Sequence, residues 1–226
     1  MANSIHYGMS YSDSSLSPSV IPRGAYDSVL FDLDGVLIDS EPLHFQAWRE
    51  VLRPFGICLE WDLYQEKAIG MADRPMLEML AALYDMAPDV DRLWTQYPAK
   101  RRRFQELAAQ KPPVPAGVVE LLKSLRAYAL AVVTSSGRLD VEPVIQMCGF
   151  QPYFQAFIFC DDVSRPKPDP EPYLKAAALL GARTPLVVED SDAGIEAGNA
   201  AGFDTLRIDN PARMPELVRN RFMRGG

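Results

Sequence analysis

Two hydrophobic rhythms divide the chain. Residues 28–33 form a short apolar run, SVLFDL, bounded by Asp27 before it and Asp34-Gly35 after it, which predicts a buried strand ending in a turn. From Pro42 to about Lys111 the pattern is helical. Phe45, Trp48, Leu52 and Phe55 recur at three- and four-residue spacing with Gly56 as the stop, and Met76, Met79, Leu80 and Leu83 make a second stripe. Val90, Leu93, Trp94 and Tyr97 begin a third, which Pro98 should kink or split. After the Pro-rich stretch 111–115, strands and helices alternate. The pattern predicts a helix over 118–128, a strand over 130–134 and a helix over 139–148 capped by Gly149. A strand over 156–159, a helix over 171–180 with Gly181 behind it, a strand over 186–188, a helix over 193–201 with Gly202, and a strand over 205–208 complete it.

Strands alternating with helices of this length imply right-handed crossovers and an α/β fold, a doubly wound, Rossmann-like parallel sheet covered on both faces. The helical block interrupts the series and reads as an inserted α-helical cap domain. The expected division is a disordered leader at 1–24, a core domain at 25–41 and 112–226, and a cap at 42–111. Linkers near 39–41 and 111–115 are where a hinge is expected.

Composition narrows the partners. A formal charge of −7 and a pI near 4.9 argue against a surface for nucleic acid or anionic lipid. The leader lacks the apolar stretch of a secretory signal, and no apolar run approaches the roughly 18 residues of a membrane span. The expectation is a cytoplasmic protein, a monomer or weak dimer, with a small phosphorylated substrate. Cys58, Cys148 and Cys160 have no C-x-x-C spacing and sit in apolar surroundings, so they read as buried free thiols.

In a doubly wound sheet the carboxyl ends of the strands face one crevice, so polar residues at those ends become neighbours. Here they are Asp32 and Asp34 after the first strand, Thr134 and Ser135 after the second, and Glu189 and Asp190 after the strand at 186–188, with Lys167 in a loop after the third. Carboxylates, a hydroxyl and a lysine at one rim suit Mg²⁺ and a phosphate, because a small hard cation prefers oxygen ligands. A carboxylate can attack phosphorus when cations screen the repulsion. A second carboxylate two residues on can protonate the leaving oxygen and later deprotonate water. Each feature alone has a structural explanation: Asp-Gly as a turn, Thr134 as a helix start, Lys167 as a solvated loop residue, Glu189-Asp190-Ser191 as a helix cap. Their common position at one sheet edge favours chemistry.

The strings FDLDGVLIDSEPLH, VVTSSG, RPKPDP and VVEDSDAGIEAGNAAG together resemble the haloacid dehalogenase (HAD) superfamily, in its β-phosphoglucomutase-like and sugar-phosphate phosphatase branch with a helical cap. The resemblance implies that Asp32 is the nucleophile and that Asp34 is the general acid/base and lends its backbone carbonyl to Mg²⁺. It further implies that Thr134 and Lys167 bind the phosphoryl group and that Glu189 and Asp190 hold the metal. Family dehalogenases lack a carboxylate at the position of Asp34, so phosphate-ester chemistry is expected. Substrate choice would lie in the cap, where His44 and Arg74 match mutase positions; the basic run Lys100 to Arg103 offers further candidate contacts, although a solvated helix face is its favoured reading. Ser40 is closer to the phosphatases. The expected function is thus a Mg²⁺-dependent phosphatase working through an aspartyl phosphate. A sugar phosphomutase is the alternative, and a non-catalytic phosphate-binding module a more remote one.

Overall fold

The structure is a computed structural model that describes residues 24–69, 71–84 and 89–224. All of the expected leader except Gly24 lies outside these residues. Five parallel strands form one sheet in the order β3-β2-β1-β4-β5, with β1 at Ser28–Phe31, β2 at Ala129–Val133, β3 at Ala156–Ile158, β4 at Pro185–Glu189 and β5 at Asp204–Arg207. The chain runs outward from β1 to β2 and β3, then returns to β4 on the other side of β1. That reversal opens a crevice beyond the carboxyl end of β1.

Alternation along the strands explains the two-faced core. Val29, Phe31, Leu130, Val132, Leu186 and Val188 point to one face, against α6 (Val118–Ser124), α7 (Arg138–Met147) and α10 (Met214–Arg224). Leu30, Ala131, Val133 and Val187 point to the other, against α8 (Glu171–Leu180) and α9 (Asp192–Ala200). All of β1 is buried, whereas β5 is a half-exposed edge.

Between β1 and α6 the described residues form five α-helices: α1 (Glu41–Leu52), α2 (Trp61–Lys67), α3 (Asp73–Leu83), α4 (Val90–Trp94) and α5 (Tyr97–Gln110). They enclose a separate apolar cluster of Trp48, Leu52, Ile57, Leu59, Tyr64, Met76, Leu77, Leu80 and Leu93. Ala47 from α1 and Phe104, Leu107 and Ala108 from α5 pack instead into the core on the sheet, so this helix pair is the stem joining the two clusters. The two connecting segments lie side by side, Asp39 N–H donating to Pro113 O at 2.8 Å.

Several expectations shift. The third helical stripe does split, and Pro98 occupies the first turn of α5, where no N–H partner is lost. The helix expected over 118–128 ends at Ser124: the N–H of Leu125 donates to both Leu121 O and Leu122 O, and that of Tyr128 turns back to Leu125 O. The thiols are free, but Cys58 is exposed and Cys148 and Cys160 are only half-buried, because apolar neighbours in sequence do not bury a residue on the outer side of its element. Among the described residues no helix is long and apolar enough to cross a membrane.

Candidate active site

The register of the central strands assembles the site. Phe31 lies opposite Val132 on one side and Val188 on the other, so the residues just beyond them share an edge. Asp32, 7% exposed, is fixed there by its N–H donating to Val188 O at 2.9 Å. The following turn is plugged from beneath by Leu33, Val36, Leu37 and Ile38, all fully buried, which leaves Asp32 and Asp34 on the crevice side. Gly35 at φ +75° closes this turn, and a Cβ there would meet Asp190 Oδ2 at 2.1 Å, so only glycine admits both the backbone conformation and the neighbouring carboxylate.

Lys167 is the electrostatic centre. Its ammonium, 3% exposed, donates to Asp32 Oδ1 at 2.6 Å, Glu189 Oε1 at 2.6 Å and Val133 O at 2.8 Å. Burial works to lower its pKa, but the charges of Asp32 and Glu189 and the adjacent Tyr173 hold it well above the usual lysine value. Glu189 is held from both ends. Tyr173 also donates to Oε1 at 2.9 Å, while the N–H groups of Asp190 and Ser191 and the Ser191 hydroxyl donate to Oε2. Burial would raise the Glu189 pKa, but Lys167 and these donors bring it below the ordinary value. Asp32 goes the other way: burial outweighs Lys167, and Glu189, Asp190 and Asp34 add repulsion.

Asp34 is tied to two other elements. Ser40, fully buried, donates to Oδ1 at 2.6 Å, and Ser136 donates to Oδ2 at 2.9 Å. Burial alone would raise its pKa, and the nearby His44 with these hydroxyls more than offsets that. Thr134 is 4% exposed and its Oγ1 accepts the N–H of Ser136 at 3.0 Å, whereas Ser135 is exposed at the mouth.

Asp32, Glu189 and Asp190 each offer a carboxylate oxygen, all within 4.8 Å of one another. Asp190 is pushed up to about 7 by burial and by Glu189, which marks negative charge that Lys167 alone does not compensate. An all-oxygen acidic set in need of positive charge fits a hard divalent cation.

Above these groups is a cleft of about 610 Å³ whose far wall is helical. His44 lines it, its ring stacked on Phe104 at 4.2 Å; Nε2 stands 3.9 Å from Asp34 Oδ1, and Nδ1 is buried with no partner among the described residues. Arg74 lines the cleft too, half-exposed, with Nη2 on Asp91 Oδ1 at 2.7 Å. The basic run departs from a solvated face. Lys100 is buried on Asp73 at 2.9 Å, Arg101 binds Asp140 of α7 from the cleft wall, and Arg103 pairs with Glu50; Arg102 is exposed as expected. Sequence reasoning left out Ser136, Tyr173, Glu41, Tyr64 and Asp140. Only Ser136, two residues after Thr134, carried a local signal, the turn in which a Thr hydroxyl accepts the N–H two residues on.

The sequence profile of the family described as haloacid dehalogenase-like hydrolase matches residues 29–208. A phosphorylated carbohydrates phosphatase of Thermotoga maritima is 33% identical over 183 residues, covering 80% of this chain and 83% of its own length. Fructose-1-phosphate phosphatase of Escherichia coli is 30% identical over 187 residues, covering 81% of this chain and 96% of its own. Among solved structures, β-phosphoglucomutase of Clostridium difficile superposes with a TM-score of 0.68 at 20% identity, covering 88% of this chain and 97% of that one; this last likeness concerns the fold. With the crevice built on Asp32, Asp34, Lys167 and the acidic pair, these matches establish that the chain belongs to the haloacid dehalogenase-like hydrolases and stands among their phosphatases.

Proposed function

We propose that this enzyme hydrolyses the phosphate monoester of a sugar-like metabolite, with Mg²⁺, through an aspartyl phosphate on Asp32. The observation that carries the reading is Asp32 itself, set between the Lys167 ammonium and the Glu189–Asp190 pair, with Asp34 two residues on at the floor of the cleft. Asp32, Glu189 and Asp190, with the backbone carbonyl of Asp34, would hold the cation. Bound Mg²⁺ supplies charge neutralisation and orientation of phosphoryl oxygens.

The remaining steps fall to the chain's own residues. Lys167 and Thr134 orient and neutralise the phosphoryl group, and an oxygen of Asp32 attacks phosphorus in line with the ester oxygen. The ester P–O bond breaks as Asp34 delivers a proton to the leaving oxygen. Asp34 then takes a proton from water, whose oxygen attacks phosphorus, and free phosphate and the Asp32 carboxylate are regenerated. Ser40 and Ser136 hold Asp34 where both transfers are possible. With both hydroxyls donating, Asp34 favours the carboxylate form of the second step; a bound phosphoryl anion beside it favours the protonated form of the first.

We place the protein in the cytoplasm as a monomer or weak dimer. The helices at 42–111 would act as the cap, closing over the cleft about the paired linkers. A phosphomutase would use the same aspartyl phosphate but protect it from water. A ³¹P time course with Mg²⁺ and a set of sugar phosphates, with and without a sugar bisphosphate, decides: free phosphate supports the phosphatase, and bisphosphate-dependent isomerisation replaces it with the mutase.

A further inference from the structure

Among the described residues the cap wall of the cleft carries three cations, and each has a carboxylate partner. Lys100 lies on Asp73 at 2.9 and 3.2 Å, Arg101 on Asp140, and Arg74 on Asp91 at 2.7 Å. Glu41, in the same wall, is different. Tyr64 donates to its Oε2 at 2.8 Å, but no cation lies within ion-pair distance and no donor reaches Oε1 among the described residues. Tyr64 is 4% exposed, and burial together with the Glu41 charge keeps its phenol protonated far above the neutral range. The carboxylate is thus held by a permanent donor and keeps one oxygen for a ligand. Glu41 lines the same cleft as Asp34 and follows directly on Ser40, whose hydroxyl binds Asp34 at 2.6 Å. Trp94 and Tyr97, stacked at 4.8 Å, line the same wall and offer apolar faces.

We infer that Glu41 is a specificity-determining residue that accepts hydrogen bonds from hydroxyl groups of an uncharged, polyhydroxylated leaving group and rejects substrates bearing a second phosphate. The inference rests on the phosphatase reading above. An ionised carboxylate is acceptor-only, so hydroxyl donors are its natural partners and bind it more strongly than a neutral acceptor. A second phosphate would instead face the Glu41 anion in a wall whose cations each already carry a carboxylate partner, and that repulsion is the discriminating element.

The test compares kcat/KM, with Mg²⁺, for wild type, Glu41→Gln and Glu41→Ala on a ketohexose 1-phosphate, the 1,6-bisphosphate of the same sugar, and phenyl phosphate, whose leaving group has no further hydroxyls. The wild type is expected to favour the monophosphate over the bisphosphate at least about tenfold. In both variants the preference for the hexose phosphate over phenyl phosphate should fall about tenfold or more, mainly through KM, the size expected for a lost charged hydrogen bond. The preference against the bisphosphate should shrink with it. Tyr64→Phe, which frees the other oxygen of Glu41, should move both ratios in the same direction by less. Proportional loss on all three compounds, or a wild-type preference for the bisphosphate, overturns the assignment while leaving the phosphatase reading intact. Failure of the wild type to hydrolyse any of the three overturns both.

Discussion

Lys167→Met removes the only ammonium among the described residues that touches Asp32 and Glu189, and its consequences can be worked from the contacts. The lysine, 3% exposed, has three acceptors between 2.6 and 2.8 Å. Methionine fills similar volume but removes the lysine donor from Val133 O and leaves carboxylates within 4.8 Å of one another without their counter-ion. Removing one partner of a buried ion pair costs about 3–5 kcal/mol, which for a chain of this size is a fall in Tm of about 6–20 °C near neutral pH. The pH dependence should steepen as well, because Asp32 and Asp190 already titrate above their ordinary values in the wild type while Glu189 opposes them. In the wild type the Glu189 pKa lies below its ordinary value, so its contribution is present above the unfolded pKa and is lost as pH falls through the folded one. In the variant both carboxylates titrate above their unfolded values, the folded state binds more protons than the unfolded chain, and stability rises as pH falls from about 7 toward about 5. Urea denaturation without divalent cation at several pH values measures both effects. A variant within a degree of wild type near pH 7, or a deficit that stays constant on acidification, would refute the reasoning. Phosphate release should fall at least about a hundredfold, since the same ammonium faces the charge that develops in the reaction.

Other outcomes follow from single contacts. Asp32→Asn should abolish phosphate release while the circular dichroism spectrum and Tm stay close to wild type, because the Asp32 charge is disfavoured by burial and Lys167 keeps Glu189; retained turnover would remove the nucleophile assignment. Chelation should abolish activity, and Mg²⁺ at about 100 times its Kd should stabilise the fold by about 2.7 kcal/mol, visible as a rise in Tm. Asp140→Ala breaks the contacts of Tyr97 and Arg101 that bind α5 to α7 across the cleft; KM should rise about tenfold, equivalent to about 1.4 kcal/mol, and small-angle scattering should report a larger radius of gyration. Gly194→Ala would put a Cβ 1.7 Å from Glu189 Oε1, so a loss of about 3 kcal/mol in urea unfolding and a matching loss of turnover are expected from overpacking.

Legibility in the sequence tracked how local the determining physics is. β1 and β4 were readable because a run buried on both faces leaves a continuous apolar string with turn residues at its ends. Helix α8 was readable residue for residue: Pro172 sits in its first turn and Gly181 ends it at φ +64°. Helix α10 gave no such string: its buried core residues are Met214, Val218 and Phe222, four residues apart, with Leu217 packed partly beside them, and Arg219, Asn220 and Arg221 interrupt the apolar pattern. Helix α2 is only seven residues long, and Tyr64 is its single buried side chain, too little for a period to show.

The same distinction separates the two halves of the site. Asp32, Thr134 and Glu189 were legible because a parallel sheet with a reversal at β1 must bring its strand ends together, whatever else the chain does. The contacts of Glu41, Tyr64, Asp73 and Asp140 were not, because they depend on which partner each meets across α1, α2, α3, α5 and α7. Lys100 illustrates the difference. In sequence it opens a basic run that any helix surface could carry, whereas in the fold Asp73 and the rings of Trp48 and Tyr97 surround its ammonium, and it is unavailable to a second anion. Catalytic chemistry is therefore set by backbone topology, which a pattern of strands discloses. Which charges of the helices at 42–111 neutralise one another depends on their packing, and no local pattern discloses it.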